Sequence, residues 1–110
     1  MHINAAGANA ANRSELDHAT VLKAQIKSTD SLLQAKSEAG EFAALIQAGQ
    51  LAWSDIVELG AMASASSPAR TSADQITLFK SLGVGIEDVA FAEWIYRRAA
   101  DKGLGLKLPF

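Results

Sequence analysis

Few side chains in this sequence have types and spacings that could do chemistry. His2 and His18 are the only imidazoles, and their separation matches no metal-ligand spacing. The chain has no Cys, so thiolate metal sites and disulfides are excluded. Both histidines read as surface or turn residues, and no metal is expected. No G-x-S-x-G elbow marks a nucleophilic serine. Gly83-Val84-Gly85 falls between a strand-like and a helix-like stretch, the setting in which backbone N–H groups cradle phosphate. Without a third glycine it reads equally well as a turn that needs permissive backbone angles. Arg97, Arg98 and Lys102 form a small basic group, but Glu93 lies four residues before Arg97, so part of that charge is ordinary helix support. Trp53 and Trp94 read as core or interface packing rather than a stacking platform. Residues 7–13 are more suggestive. They follow a short apolar run, at the kind of strand end where open α/β sheets bind ligands. Asn9 offers a donor and an acceptor, and Arg13 a permanent charge. From the residues alone this segment is a ligand loop or a plain connection.

The elements that would carry these residues follow from periodicity and punctuation. Residues 3–6 read as a buried strand ending at Gly7. Ser14 and Asp17 have capping-box spacing, which predicts a short helix to about Lys23. Residues 24–29 are a weaker strand. Asp30 or Ser31 caps a helix over 31–48, with Leu32, Ala35, Ala39, Phe42, Ala43 and Ile46 as its stripe. Gly40 lies inside that helix, and Gly49 ends it. A further helix is expected over 54–63, with Asp55 and Glu58 in its acidic first turn. Residues 64–73, which include Pro68, read as a loop, and 76–79 as a strand broken by the glycines that follow. The last helix, over 86–102, carries apolar residues on opposite sides: Val89 and Trp94 on one, Phe91 and Ile95 on the other. It is therefore expected to be buried on more than one face. The tail after Gly103 is apolar and extended, suited to docking.

Composition bounds the classes. The 110 residues suit one domain, and the charge is −2, from 10 Lys+Arg against 12 Asp+Glu. No basic excess points to nucleic acid. No apolar run is long enough to span a membrane, and the N-terminus does not read as a signal peptide. The cytoplasm is the expected location. About one residue in five is Ala and only 6% are aromatic, so the core has little volume per residue and is expected to need surfaces from outside the chain.

Together the segments have a familiar order. His2 to Asn9, Arg13-x-Glu15-Leu16-Asp17, Asp30-Ser31, Glu38-Ala39-Gly40, Trp53 and Val57-Glu58-Leu59-Gly60 occur in sequence. They are followed by Ile76-Thr77-Leu78-Phe79-Lys80-Ser81-Leu82-Gly83, Glu87-Asp88-Val89-Ala90 and Gly103-Leu104-Gly105. This array resembles the C-terminal portion of the ornithine cyclodeaminase/mu-crystallin family, over essentially the whole chain. The family consists of NAD(P)-dependent enzymes acting on amino acids or cyclic imines, with a Rossmann domain and a substrate domain that makes a homodimer.

The resemblance implies an α/β fold: the truncated end of a Rossmann-like NAD(P)-binding domain (1–73), then a C-terminal strand–helix segment of the substrate/dimerisation domain (74–110). It implies NAD or NADP as cofactor, with Ile3, Asn4, Ala5, Ala6, Arg13 and Ser81 on the cofactor side and Leu82 on the substrate side. Asn9 falls where ornithine cyclodeaminases carry a proton-exchanging Asp, so it is the candidate catalytic position. A carboxamide cannot exchange that proton, which favours a reductase or dehydrogenase. The glycine-rich loop and the substrate-binding Arg and Lys of the family would lie N-terminal to this chain, which is expected to be inactive alone. The expected partners are an amino acid or imine and a second copy or a missing N-terminal half. A non-catalytic association module, pairing through the last helix and tail, is the alternative.

Overall fold

In the computed structural model, which describes residues 1–64 and 70–109, four short strands form one all-parallel sheet. The strands are β1 (His2–Ala5), β2 (Ile26–Thr29), β3 (Ile56–Glu58) and β4 (Thr77–Lys80). Their order is β1-β4-β2-β3, so the last strand in sequence sits between the first two. Register aligns Ile3, Leu78, Lys27 and Ile56 across one face, followed by Ala5, Lys80, Thr29 and Glu58. That face packs against helices and holds the core of Val21, Ala35, Phe42, Leu45, Leu78 and Leu82. The opposite face aligns Asn4, Phe79, Ser28 and Val57. It is half open, approached by the short α4 (Leu59–Ala63).

β4, just beyond residue 73, pairs with both β1 and β2, and Leu82 after it is buried in the core.

α1 (His18–Lys23) starts where Asp17 accepts a hydrogen bond from Thr20 N at 2.7 Å. Asp17 is thus the cap. Ser14 instead donates to the Leu16 carbonyl, since the chain between them is not yet helical. The single helix expected over 31–48 is two helices: α2 (Leu32–Glu38), capped by Ser31, and α3 (Gly40–Gln47). The break at Ala39 lets Gly40 lie against the carbonyls of Ala11 and Arg13. A Cβ there would come 2.7 Å from Ala11 O and closer still to Arg13 O. At an unhindered helix position Gly→Ala gains up to about 1 kcal/mol. Here Gly40→Ala is expected to lose about 1–3 kcal/mol, as overpacking does, read as a lowered urea midpoint. A raised midpoint would show that this close approach is dispensable.

The helix expected over 54–63 is mostly not one. Trp53–Asp55 is a 3-10 turn in which Asp55 accepts from Ala52 N, followed by β3 and then α4. Glu58 serves the N-terminus of another helix, α2, where its carboxylate accepts from Leu32 N at 3.1 Å. The loop expected over 64–73 lies partly outside the described residues.

α5 (Gly85–Asp101) departs most from expectation. The helix was expected to be buried on several faces, yet it buries none of its residues. Phe91, Trp94 and Tyr96 are exposed. Phe91 and Trp94 stack at 6.0 Å, Arg98 lies 4.2 Å over the Trp94 ring, and Glu93 pairs with Arg97 at 2.6 Å. The radius of gyration is 17.3 Å, against about 13 Å for a compact chain of this length, so α5 stands off the body. Among the described residues no helix is long and apolar enough to cross a membrane.

Candidate functional site

Parallel strands deliver their carboxyl ends to one edge of a sheet, and that edge is where open α/β folds bind ligands. Here the edge is made by the loop after β1, residues 6–13, and the turn after β4, residues 81–84. Backbone N–H groups in both places would suit an anion, and in both places a carboxylate of the chain itself already occupies them.

Below the first loop, Glu15 accepts from Gly7 N (2.9 and 2.8 Å to its two oxygens) and from Ala8 N at 3.3 Å. Lys80, from the end of β4, donates to Glu15 at 2.7 Å and lies 3.6 Å from Glu41 of α3. Glu41 in turn accepts from Glu15 N at 2.8 Å. Lys80 and Glu41 are each 1% exposed, so this is an interior network with one cation between two carboxylates. Burial pushes the Glu15 carboxyl upward. The hydrogen bond from Lys80 and those from Gly7 and Ala8 outweigh it and hold the group below the ordinary range.

Above the second turn, Asp30 at the end of β2 accepts from Leu82 N (2.7 Å), Gly83 N (3.0 Å), Ser81 Oγ (3.2 Å) and Ser31 N (3.0 Å). Burial again pushes its carboxyl up, and the N–H groups of Leu82, Gly83 and Ser31 bring it lower than usual. Gly83 has φ +78°, a left-handed conformation that favours glycine at this turn. The glycine pair is thus a strand-to-helix turn whose N–H groups bind an internal carboxylate.

A folded-state pKa below the unfolded one gives stability that is complete above the unfolded value and is lost as pH falls through the folded one. Glu15 and Asp30 both shift down. Stability is therefore expected to hold from neutrality to about pH 4, the ordinary carboxylate value, and to fall below it. Urea midpoints across that range check this, and Asp30→Asn should flatten the fall. An unchanged acid slope in that variant would remove Asp30 from the account.

The structure brings most of the expected site residues to this edge in different roles. Asn9 is exposed, and its side chain has no hydrogen-bond partner among the described residues. Ala6 and Arg13 are also exposed. Asn4 faces the open side of the sheet, where Nε2 of His2 donates to its Oδ1 at 2.9 Å. In the neutral ring Nδ1 then accepts from the Thr77 hydroxyl, 2.6 Å away. Ile3 and Ala5 point to the other face, into or against the core, so toward a ligand they offer only backbone. Ser81 bridges the strands through its N–H to Ala5 O at 2.9 Å and its hydroxyl to Asp30. The Leu82 side chain is buried, 3% exposed, and it too presents backbone.

Sequence reading singled out neither Glu15, Asp30, Glu41 nor Lys80 as site residues. One signal was available. Side chains alternate along a strand, so Lys80 shares a face with Leu78, and a lysine buried beside a core leucine demands a carboxylate.

The profile of the ornithine cyclodeaminase/mu-crystallin family matches residues 1–103. A Delta(1)-pyrroline-2-carboxylate reductase of Bacillus cereus is 32% identical over 100% of this chain and 34% of its own length. The solved reductase of that name from Thermococcus litoralis, in complex with NADH and L-proline, superposes with a TM-score of 0.82. It is 31% identical over 97% of this chain and 33% of that one. An archaeal alanine dehydrogenase, solved as a dimer with bound NAD, gives 0.76 and 36% identity over 99% of this chain and 34% of that one. The chain thus spans about a third of the length of these relatives.

Proposed function

The chain belongs to the ornithine cyclodeaminase/mu-crystallin family, and from that premise we propose that it is the C-terminal part of an NAD(P)-dependent enzyme acting on an amino acid or cyclic imine. The observation that carries this is its similarity, end to end, to a pyrroline-2-carboxylate reductase and an alanine dehydrogenase. When bound, the nicotinamide supplies or accepts a hydride at the carbon bearing the amine or imine nitrogen.

The residues present fit one side of that cofactor only. Asn4, Arg13 and Ser81, with the backbone of Ile3, Ala5 and Ala6, face it at the sheet edge. The two turns that could cradle a pyrophosphate have their N–H groups bound to Glu15 and Asp30. The cradle therefore belongs to polypeptide outside these residues. Asn9 and the backbone at Leu82 face the substrate. Asn9 orients it by hydrogen bonding and leaves the proton for the nitrogen to another group or water. This supports reductase or dehydrogenase chemistry over ornithine cyclodeamination.

The half-open sheet face agrees with such an assembly, because all-parallel sheets are covered on both faces. We assign residues 1–82 to the nucleotide-binding unit, and α5 with the tail to the substrate and dimerisation unit of a cytoplasmic homodimer. The exposure of α5 also favours a second reading, a non-catalytic module that pairs through this helix.

The test joins this chain to the coding sequence upstream of it and follows NADH or NADPH oxidation with pyrroline-2-carboxylate, or with pyruvate and ammonia. Turnover of either supports the proposal. Ornithine deamination without imine reduction overturns the preferred chemistry, and absence of any in-frame upstream sequence favours the association module. Titrating NADH fluorescence into the chain alone is a separate check, since micromolar binding contradicts an incomplete nucleotide site.

A further inference from the structure

We infer that Glu15 and Lys80 are positioning residues for the loop that carries Asn9. The loop leaves β1 at Ala6, and its first two N–H groups, those of Gly7 and Ala8, both end on the Glu15 carboxylate. That carboxylate is held from below by Lys80, which is itself fixed by burial between Glu15 and Glu41. Asn9 follows directly and is exposed, so its pose is set by the two residues before it. A charge-assisted hydrogen bond is about twice as strong as a neutral one, and Glu15 gathers two backbone donors, Gly7 N (shared between its oxygens) and Ala8 N, besides Lys80's ammonium. Gly7 leaves the room for this contact. A Cβ there would stand 2.6 Å from Glu15 Oε2, so any side chain would press on the carboxylate. Lys80 also ends β4, one residue before Ser81, whose N–H donates to Ala5 O. One cation thus fixes the exits of two neighbouring strands relative to each other. This network rests on no ligand. Its relevance to chemistry rests on the proposed reading of residues 6–13 as ligand-facing.

The experiment is residue-resolved amide exchange on the full chain, expressed as protection factors. Glu15→Gln keeps the side chain's size and sits at a partly exposed position, so the fold should survive. Protection at Gly7 and Ala8 is expected to drop about tenfold, the equivalent of one lost charge-assisted hydrogen bond, while Leu78 and Phe79 in the sheet centre keep their wild-type values. Unchanged protection at Gly7 and Ala8 would overturn the inference, and so would an equal drop at Leu78 and Phe79.

A second measurement uses the wild-type chain and survives any folding failure of the variant. The carboxyl carbon of Glu15 is followed with pH alongside the groups that face it, Lys80 from β4 and Glu41 from α3. Protection at Gly7 and Ala8 should be lost at the midpoint of the Glu15 titration, and loss at another midpoint refutes the assignment. Neither measurement needs cofactor. A positive result with an inactive assembled enzyme would therefore sink the functional reading and leave the positioning role standing.

Discussion

Lys80→Met is expected to lower the stability of the chain by about 3–5 kcal/mol, the range for deleting one partner of a buried ion pair. The reason is what stays behind. Glu41 is 1% exposed, one of its oxygens has no hydrogen-bond partner among the described residues, and the other lies 3.6 Å from the Lys80 ammonium. Without that cation, Glu15 and Glu41 face each other with no counter-charge. For a domain whose total stability is about 5–15 kcal/mol, the loss is a large share. Urea unfolding followed by circular dichroism measures it. Lys80→Met combined with Glu41→Leu should recover part of the loss by removing the stranded charge, giving a coupling energy that single substitutions cannot. A single-variant loss below about 1 kcal/mol, the worth of a surface pair, would mean the network is wetter than its burial implies. An apolar pair of the same volume is often no less stable than a buried ion pair. The network is therefore better explained by where it holds Gly7 and Ala8 than by the stability it adds.

Phe42→Ala is expected to cost about 3–5 kcal/mol as well, by a different route: lost transfer free energy plus an unfilled cavity. Phe42 is 0% exposed and is the largest fully buried side chain among the described residues. It lies on α3 next to Glu41, in a core otherwise built largely from Ala, Leu and Val. Small neighbours cannot reach across to fill the space, so the cost should fall in the upper part of that range. Phe91→Ala is the control. The same ring on α5 is 62% exposed, so its removal should change stability by no more than about 0.5 kcal/mol. A loss at Phe91 comparable to that at Phe42 would mean that α5 packs on the body in solution.

How much of this was legible in the sequence depended on how local each signal was. β1, β2, β4, α1 and α5 were read within a few residues, because alternation, capping residues and glycines act over a few positions. β3 was missed because Asp55 and Glu58 look like an acidic helix start. They serve instead a 3-10 turn and the N-terminus of α2, and the second partner is 26 residues away. The helix over 31–48 reads as continuous because its stripe is continuous. It breaks where Gly40 meets the carbonyls of Ala11 and Arg13, a contact that periodicity does not carry. The strand end before it, with Asn9 and Arg13, marked the loop of residues 7–13 as a ligand-loop candidate but not what holds it, since Lys80 reaches Glu15 across 65 residues. The placement of β4 between β1 and β2 has no local signature at all.

That placement bears on how the chain is made. β1 leaves the ribosome before its sheet partner β4, which follows 75 residues later, as His2 and Thr77 mark. Until β4 arrives, β1 and β2 have a strand-wide slot between them and no ladder joining them. The sheet closes by insertion rather than by extension at its rim, and pairing this distant in sequence is slow. A nascent chain stalled before residue 77 would hold β1 without β4, with the backbone groups on that side open to whichever strand reaches them first.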